Sequence, residues 1–264
     1  MHCRGSLQRN LRGWDWSSVP TALGYRPYEP LLTLKPWGEN IWIVDGPEVR
    51  YGFGPLQVPC PTRMTVIRLS DGSLFVHSPV ELTQGLGKEL AQVGPVAHLV
   101  APNQNHFIFL KLWADAYPDA HVFAATGLAD RTEVPANTPL TSEVDGPWST
   151  DIDHLRLELG DFTESVFFHR ASRTMIVTDL MMNYEAKRIQ NPFMRLFLKL
   201  GGAAGPHGQP SIDMRFALRP YSEALKSGLE AMLLLEPEAL ILAHGACYPE
   251  NAAQEIRLAF PDFV

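Results

Sequence analysis

Apolar residues along this chain alternate between two rhythms, the short dense runs of buried strands and the three-to-four spacing of helices. "LLTLKP" (31–36), "NIWIVDG" (40–46), "MTVIRL" (64–69) and "SLFVHS" (73–78) concentrate β-branched and aromatic residues over the length of a strand. The last two are separated by "SDG", and Asp71-Gly72 predicts a tight hairpin there. "ELTQGLGKELAQV" (81–93) repeats at helical spacing, "VAHLVA" (96–101) reads as a buried strand, "HFIFLKLWADAYPD" (106–119) as a helix and "AHVFAA" (120–125) as another strand. Right-handed crossovers between these strands are expected.

A proline-rich loop over 134–150 interrupts the pattern, which resumes with the strands "IDHLRLEL" (152–159), "ESVFFHR" (164–170) and "RTMIVTDL" (173–180). The last two close as a hairpin through "RASR". The final third is mostly helical: "LRPYSEALKSGLEAMLLLEP" (218–237) leads into the strand "ALILAHG" (239–245) and a closing helix "ENAAQEIRLAF" (250–260). Two sets of strands, each alternating with helices and with no linker between them, predict one α/β domain of two helix-covered sheet halves over 31–264. Residues 1–30, with "GWDWSSVPTALGYRPYEP" at their end, read as an irregular arm that packs its aromatics on the domain surface.

Composition narrows the partners. The 264 residues are 19% charged and 45% hydrophobic, an ordinary balance for a folded chain, and the formal net charge of -7 argues against nucleic acid as the main partner while leaving room for a local basic patch. Cys3, Cys60 and Cys247 are odd in number and far apart, without a C-x-x-C pair, which fits a reducing, cytoplasmic setting. The arm carries Arg4, Arg9 and Arg12 and no acid before Asp15, but no apolar core of a secretory signal.

Three side chains share one topological position, the C-terminal end of a buried strand: His106 after "VAHLVAPNQN", Asp179 in "TMIVTD" and His244 in "LILAH". Where strands run in one direction, loops at that edge converge side chains on a ligand. Two imidazoles and a carboxylate suit one divalent ion such as zinc or iron. Strand-end capping competes with that reading, and no H-E-x-x-H, H-x-H or C-x-x-C motif is present.

The order of elements, the "SLFVHSPV" strand and turn, the loop at 96–106 followed by "LWADAYPDAHVFAA", the hairpin ending "IVTDL" and the late "LAHG" together resemble the metallo-β-lactamase fold superfamily over about residues 31–260. The resemblance is to an uncharacterised branch of it, known as a domain of unknown function. It implies a four-layer αββα sandwich with a metal site at one edge of two sheets. The superfamily's first metal loop reads H-x-H-x-D-H. With His106 in the final place, Ala101 and Asn103 stand where the first two histidines would be, and Asn105 where the aspartate would be. Asp179 matches the bridging aspartate and His244 the last histidine. The intermediate histidine has no counterpart, Asp161 or Glu164 being the nearest substitute.

On that alignment the first metal site is lost, and His106, Asp179 and His244 retain most of the second. The expectation is a mononuclear, metal-dependent, hydrolase-like enzyme acting on a small molecule. One zinc or iron ion would sit on His106, Asp179 and His244; Asp179, Asn105 and Glu164 would serve catalysis, the last two by orienting a water. The rival is a metal-free pseudoenzyme that binds a ligand or partner on the same scaffold.

Other candidates have ordinary explanations. His77 reads as a turn-stabilising residue before it reads as a ligand, His169 as structural because the hairpin points it away from Asp179, and His98, His121 and His154 as packing residues. His207 lies in a glycine-rich loop, and Cys247 and Tyr248 follow His244 as packing residues. Residues 186–202, "AKRIQNPFMRLFLKLGG", combine Lys187, Arg188, Arg195 and Lys199 with Phe193, Leu196, Phe197 and Leu200. An amphipathic helix packed on its own domain is the first reading, with a pocket lid or a weak membrane-surface contact as alternatives.

Overall fold

The computed structural model describes residues 24–53, 56–126, 128, 138–141, 146–205 and 207–264. The expected arm therefore lies mostly outside the described residues. Its described end is tied down: Tyr25 is buried, with its ring edge-on to Tyr184 at 5.5 Å.

Strands β1 (Lys35–Gly38), β2 (Ile41–Phe53), β3 (Leu56–Arg68), β4 (Leu74–His77), β5 (Val96–Ala101), β6 (His121–Ala125) and β7 (Thr138–Leu140) form one sheet in sequence order. It is antiparallel from β1 to β4 and parallel from β4 to β7. The second sheet has the order β11-β10-β9-β8, built from β8 (Ile152–Leu159), β9 (Phe162–His169), β10 (Thr174–Val177) and β11 (Ala239–Leu242), with β10 and β11 parallel.

The layers follow from which face each side chain takes. Helices α1 (Gln84–Val93) and α2 (Leu110–Ala116) cover the outer face of the first sheet, where Leu86, Leu90, Leu110 and Trp113 pack on Val76 and Leu99. Thr83 caps α1 by accepting from the Leu86 amide, and Leu86 and Leu90, one turn apart, each contribute about 1.5–3 kcal/mol by burial. Helices α5 (Ser222–Leu234) and α6 (Ala252–Ala259) cover the outer face of the second sheet through Leu225, Leu229 and Ile256. Phe75, Val100, Phe123, Phe167 and Ile176 fill the space between the sheets. Helix, sheet, sheet and helix thus make the four-layer αββα sandwich that the family resemblance implies.

The differences from the sequence reading have local causes. Residues 31–34 are not a strand: Leu32 has φ 55°, and the Thr33 hydroxyl and Leu34 amide donate to Glu89 on α1, so pairing starts at Lys35. The helix expected over 106–119 shortens to α2, because Asn103 Oδ1 accepts from the amides of Asn105 and His106 and holds 103–106 in a turn. The proline-rich segment contributes β7, and Trp148 from the same segment plugs the gap between the sheets, 4.6 Å from Phe123 and 4.8 Å from Phe75. The helix expected over 218–237 is broken at Pro220, where the 3-10 turn Arg219–Tyr221 joins α4 (Ile212–Leu218) to α5.

The segment 186–202 departs from its first reading most. After a 3-10 turn at Ala186–Arg188 it forms α3 (Pro192–Leu200), capped by the Asn191 side chain, and of its nine residues only Leu198 is buried. Among the described residues no helix is long and apolar enough to cross a membrane.

Candidate metal centre

The parallel strands β5, β10 and β11 end at the same edge of the sandwich, and each delivers one ligand. The Ser165 amide of β9 donates to Pro102 O at 3.0 Å, fixing the end of β5 against the second sheet. His106 Nε2, Asp179 Oδ1 and His244 Nε2 then form a small triangle: 3.3 Å from His106 to Asp179, 3.2 Å from His244 to Asp179 and 3.1 Å between the two imidazole nitrogens. The three are the group among the described residues with metal-ligand spacing. Three ligand atoms at ordinary zinc bond lengths on a tetrahedron stand about 3.3 Å apart, so the triangle matches one face of a tetrahedral site. Two ring nitrogens pointed at each other and at one carboxylate oxygen are also a poor arrangement for neutral groups; a cation or a shared proton resolves it.

A second layer of contacts orients each ligand. His244 Nδ1 donates to Pro61 O at 2.8 Å, and Cys60 Sγ lies 3.2 Å from the same nitrogen, so a neutral His244 presents the lone pair of Nε2 to the triangle. His106 Nδ1 pairs with Ser78 Oγ at 2.6 Å. Ser78 has φ 53°, a left-handed conformation rare for serine, and its amide is bonded to Val100 O, so backbone strain is held at the site. Asp179 Oδ2 accepts from Asn103 Nδ2 and Asn105 Nδ2, both at 2.9 Å, which leaves Oδ1 for the triangle.

Arg63, fully enclosed, fixes the loop that carries His244. Its Nη1 donates to Leu242 O at 2.5 Å and Gly245 O at 2.7 Å, while Nη2 lies 2.7 Å from Asp45 Oδ1. That last contact is an ion pair by proximity without hydrogen-bond alignment, since Oδ1 has no aligned donor; Lys35 Nζ supplies the aligned bond to Oδ2 at 2.8 Å. Gly245 has φ 94°, and a Cβ there would stand 1.9 Å from Asn183 O, so only glycine permits this crossing behind His244.

Electrostatics pull the metal-free site toward an imidazolium–carboxylate pair. Burial pushes Asp179 up, but the charge and hydrogen bonds of His106 and His244 outweigh it and hold the carboxyl well below its usual range. Burial works against a charged His244, yet Cys60 and Asp179 hold its imidazole well above the usual value. A metal ion must displace that proton, so uptake is coupled to proton release.

The structure brings together His106, Asp179, His244 and Asn105, with Asn105 turning its amide nitrogen, not its oxygen, toward the site. Glu164 lies behind Asp179 and is fully buried; it accepts from the amide and hydroxyl of Thr178 at 2.6 Å each and from Asn103 Nδ2 at 2.9 Å. Burial, then the Asp179 charge, push its carboxyl up. Asp161 is exposed in the β8–β9 hairpin. Ala101 belongs to the outer core, and Asn103 fills the second histidine position with a hydrogen-bonded amide.

The remaining histidines stand elsewhere. His77 makes no turn-stabilising bond; its ring is buried between the sheets, edge-on to Phe167 at 5.4 Å, with Nε2 unpartnered, and the turn contact falls to Ser78 instead. His169 Nδ1 pairs with Ser172 Oγ at the far end of β9, His121 Nε2 with Thr138 Oγ1, and His207 Nδ1 with Glu255. His98 packs on Trp148 and His154 on Phe167. Cys247 Sγ lies 3.1 Å from Arg63 Nη1, and Tyr248 OH accepts from the Gly208 amide. Sequence reasoning missed Arg63, Ser78, Cys60 and Pro61, which act from β3 and from the residue after β4, and no local pattern marks them.

Known proteins with similar structures carry the same fold at low identity. The DIM-1 metallo-beta-lactamase exposed to ceftazidime is 14% identical, with 87% of this chain and 96% of that chain covered and a TM-score of 0.58. FIM-1 from Pseudomonas aeruginosa, a metallo-beta-lactamase in the mono-zinc form, is 11% identical over 86% and 95% of the two chains, with a TM-score of 0.52. The chemotaxis sensor ODP, in a peroxy diiron species, is 10% identical over 86% and 94%, with a TM-score of 0.54. No curated protein sequence matches the chain. A family model described as "Domain of unknown function (DUF4336)" matches residues 39–191, a span that includes Asn103, His106, Glu164 and Asp179 and ends before His244. With more than half of its length matched and a metallo-β-lactamase-type sandwich as its fold, the chain belongs to the DUF4336 family.

Proposed function

We propose that this chain is a mononuclear metal-dependent hydrolase of a small molecule, with one divalent ion held by His106, Asp179 and His244. The observation that carries the proposal is the triangle of donor atoms with edges of 3.1–3.3 Å, each ligand fixed from behind by its own partner. A zinc or iron ion bound there supplies Lewis acidity. The chain's own residues supply the rest. Pro61 and Ser78 set the two rings, Asn103 and Asn105 hold Asp179 by its outer oxygen, and Glu164 anchors the Thr178–Asp179 turn. Three protein ligands leave a fourth tetrahedral position for substrate. Since one structural neighbour is described in a mono-zinc form and another with a diiron species, zinc and iron are the metals to load first. Cys60 and Cys247 are both free thiols, in keeping with a cytoplasmic location.

The test is turnover of generic aryl esters and phosphoesters by protein loaded with zinc, iron or manganese, beside Asp179→Ala. Metal-dependent hydrolysis that vanishes in the variant supports the reading; a loaded protein inert toward both classes counts against a hydrolase. The second reading, a metal-free binding protein, is favoured by Asn103, whose amide occupies the place of a lost ligand with contacts to Glu164, Thr178 and Asp179. It requires that a chelator leave the melting temperature unchanged.

A further inference from the structure

Helix α3 presents to solvent the face that a packed helix buries. Phe193, Leu196, Phe197 and Leu200 fall at i, i+3, i+4 and i+7, one continuous stripe. That stripe points outward, with Phe193 83% and Leu200 76% exposed. It continues onto α4, where Ile212 and Phe216, one turn apart, are also exposed, and Ile212 lies against Gly201 at the end of α3. Exposed apolar residues gathered on adjoining helices mark an interaction surface rather than ordinary scatter.

Charge identifies the partner. The whole chain is acidic, at -7, yet Arg195 and Lys199 on α3, Arg215 on α4 and Arg219 just after it are all exposed, and among the described residues none of the four is in an ion pair with an acid. Their placement is fixed locally: Arg195 Nη2 donates to Ile189 O, Arg215 Nη2 to Gly201 O, and the Arg219 guanidinium lies 4.6 Å from the centre of the Phe216 ring. Asp213 is the one acid on α3 and α4.

We propose that the α3–α4 face docks on an anionic lipid surface, with Phe193, Leu196, Phe197, Leu200 and Phe216 entering the headgroup boundary and the four cations on lipid phosphates. The other candidates for covering it are like-charged. Residues 1–23 join the described chain beside α3, since Gly24 O accepts from the Gln190 amide, but they carry Arg4, Arg9 and Arg12 against Asp15 alone. A second copy packed face to face would set four cations against four. The inner side of α3 rests through Leu198 and Met194 on the cluster containing Cys60 and Tyr184, so docking turns the metal-centre end of the sandwich toward the lipid. The docking itself does not depend on metal or on turnover.

The experiment is co-sedimentation of the full chain with phosphatidylcholine vesicles, with and without phosphatidylglycerol, at low and high salt. Binding to the anionic vesicles alone, weakened by salt, is expected. Arg195→Gln with Lys199→Gln should lower the apparent partition coefficient about tenfold or more, and Phe193→Asp with Leu200→Asp should abolish binding while melting temperature and circular dichroism stay unchanged, because the Phe193 and Leu200 side chains are exposed. No sedimentation with anionic vesicles overturns the proposal, as does equal binding to neutral ones. Self-association that is lost in the Phe193→Asp/Leu200→Asp variant without vesicle binding overturns it in favour of a second copy. Binding seen only after removal of residues 1–23 overturns it in favour of the arm.

Discussion

Replacing Arg63 with methionine tests whether the metal centre is held from behind by a buried charge. The substitution keeps the apolar stem and removes the guanidinium, and with it the bonds to Leu242 O and Gly245 O and the contact with Asp45, in which both side chains are about 4% exposed. Deleting one partner of a buried ion pair costs about 3–5 kcal/mol, because the other charge stays buried and the released carbonyls lose their donor. Lys35, 22% exposed and bonded to Asp45 Oδ2, offsets part of that loss, so about 3 kcal/mol is expected. Urea unfolding of metal-stripped protein measures it free of any metal contribution. Adding Asp45→Asn to Arg63→Met should recover part of the loss, since the stranded charge is then gone. Zinc affinity should also fall in the single variant, as the loop carrying His244 loses two of its fixed points. A loss below about 1 kcal/mol, the worth of an exposed pair, would refute the reasoning.

Two further substitutions have opposite signs. His77→Leu should flatten the acid side of the stability profile: burial, then His106, hold the folded imidazole down to about 3, so the unfolded chain takes up the proton first and stability is lost as pH falls below about 6.5. At pH 5 that loss is about 2 kcal/mol, and melting curves across pH that show the same acid slope in wild type and variant would contradict it. Glu164→Gln should cost about 1–3 kcal/mol in urea unfolding, because an amide nitrogen cannot accept from the Thr178 or Asn103 donors; a variant of unchanged stability that loses turnover would instead make Glu164 a group acting on substrate.

How much of this was legible depended on whether the signal was local. Fully buried strands are continuous apolar runs, so "VAHLVA", "TMIV" and "ALIL" announced β5, β10 and β11, and the polar residues within the next five positions included His106, Asp179 and His244. Two helix-covered sheet halves followed from their order, and the four-layer sandwich from the family resemblance. Arg63 was not legible, because its partners at Leu242 and Gly245 are about 180 positions away and an arginine within "TRMTVI" carries no mark of them. The turn at Asn103 was hidden for a related reason: the apolar spacing of 106–119 is helical, and only the side-chain bonds of Asn103 to two amides remove its first turn. The stripe on α3 was visible as a stripe, but periodicity states that a face is apolar and not which way it turns.

The central claim is that His106, Asp179 and His244 bind one divalent ion, and elemental analysis of tag-free, zinc-reconstituted protein tests it most directly, beside His106→Ala and His244→Ala variants shown by circular dichroism to be folded. The account predicts about one equivalent of metal in the wild type and almost none in either variant. Metal content below about a tenth of an equivalent in the wild type, or full content in either variant, would contradict it.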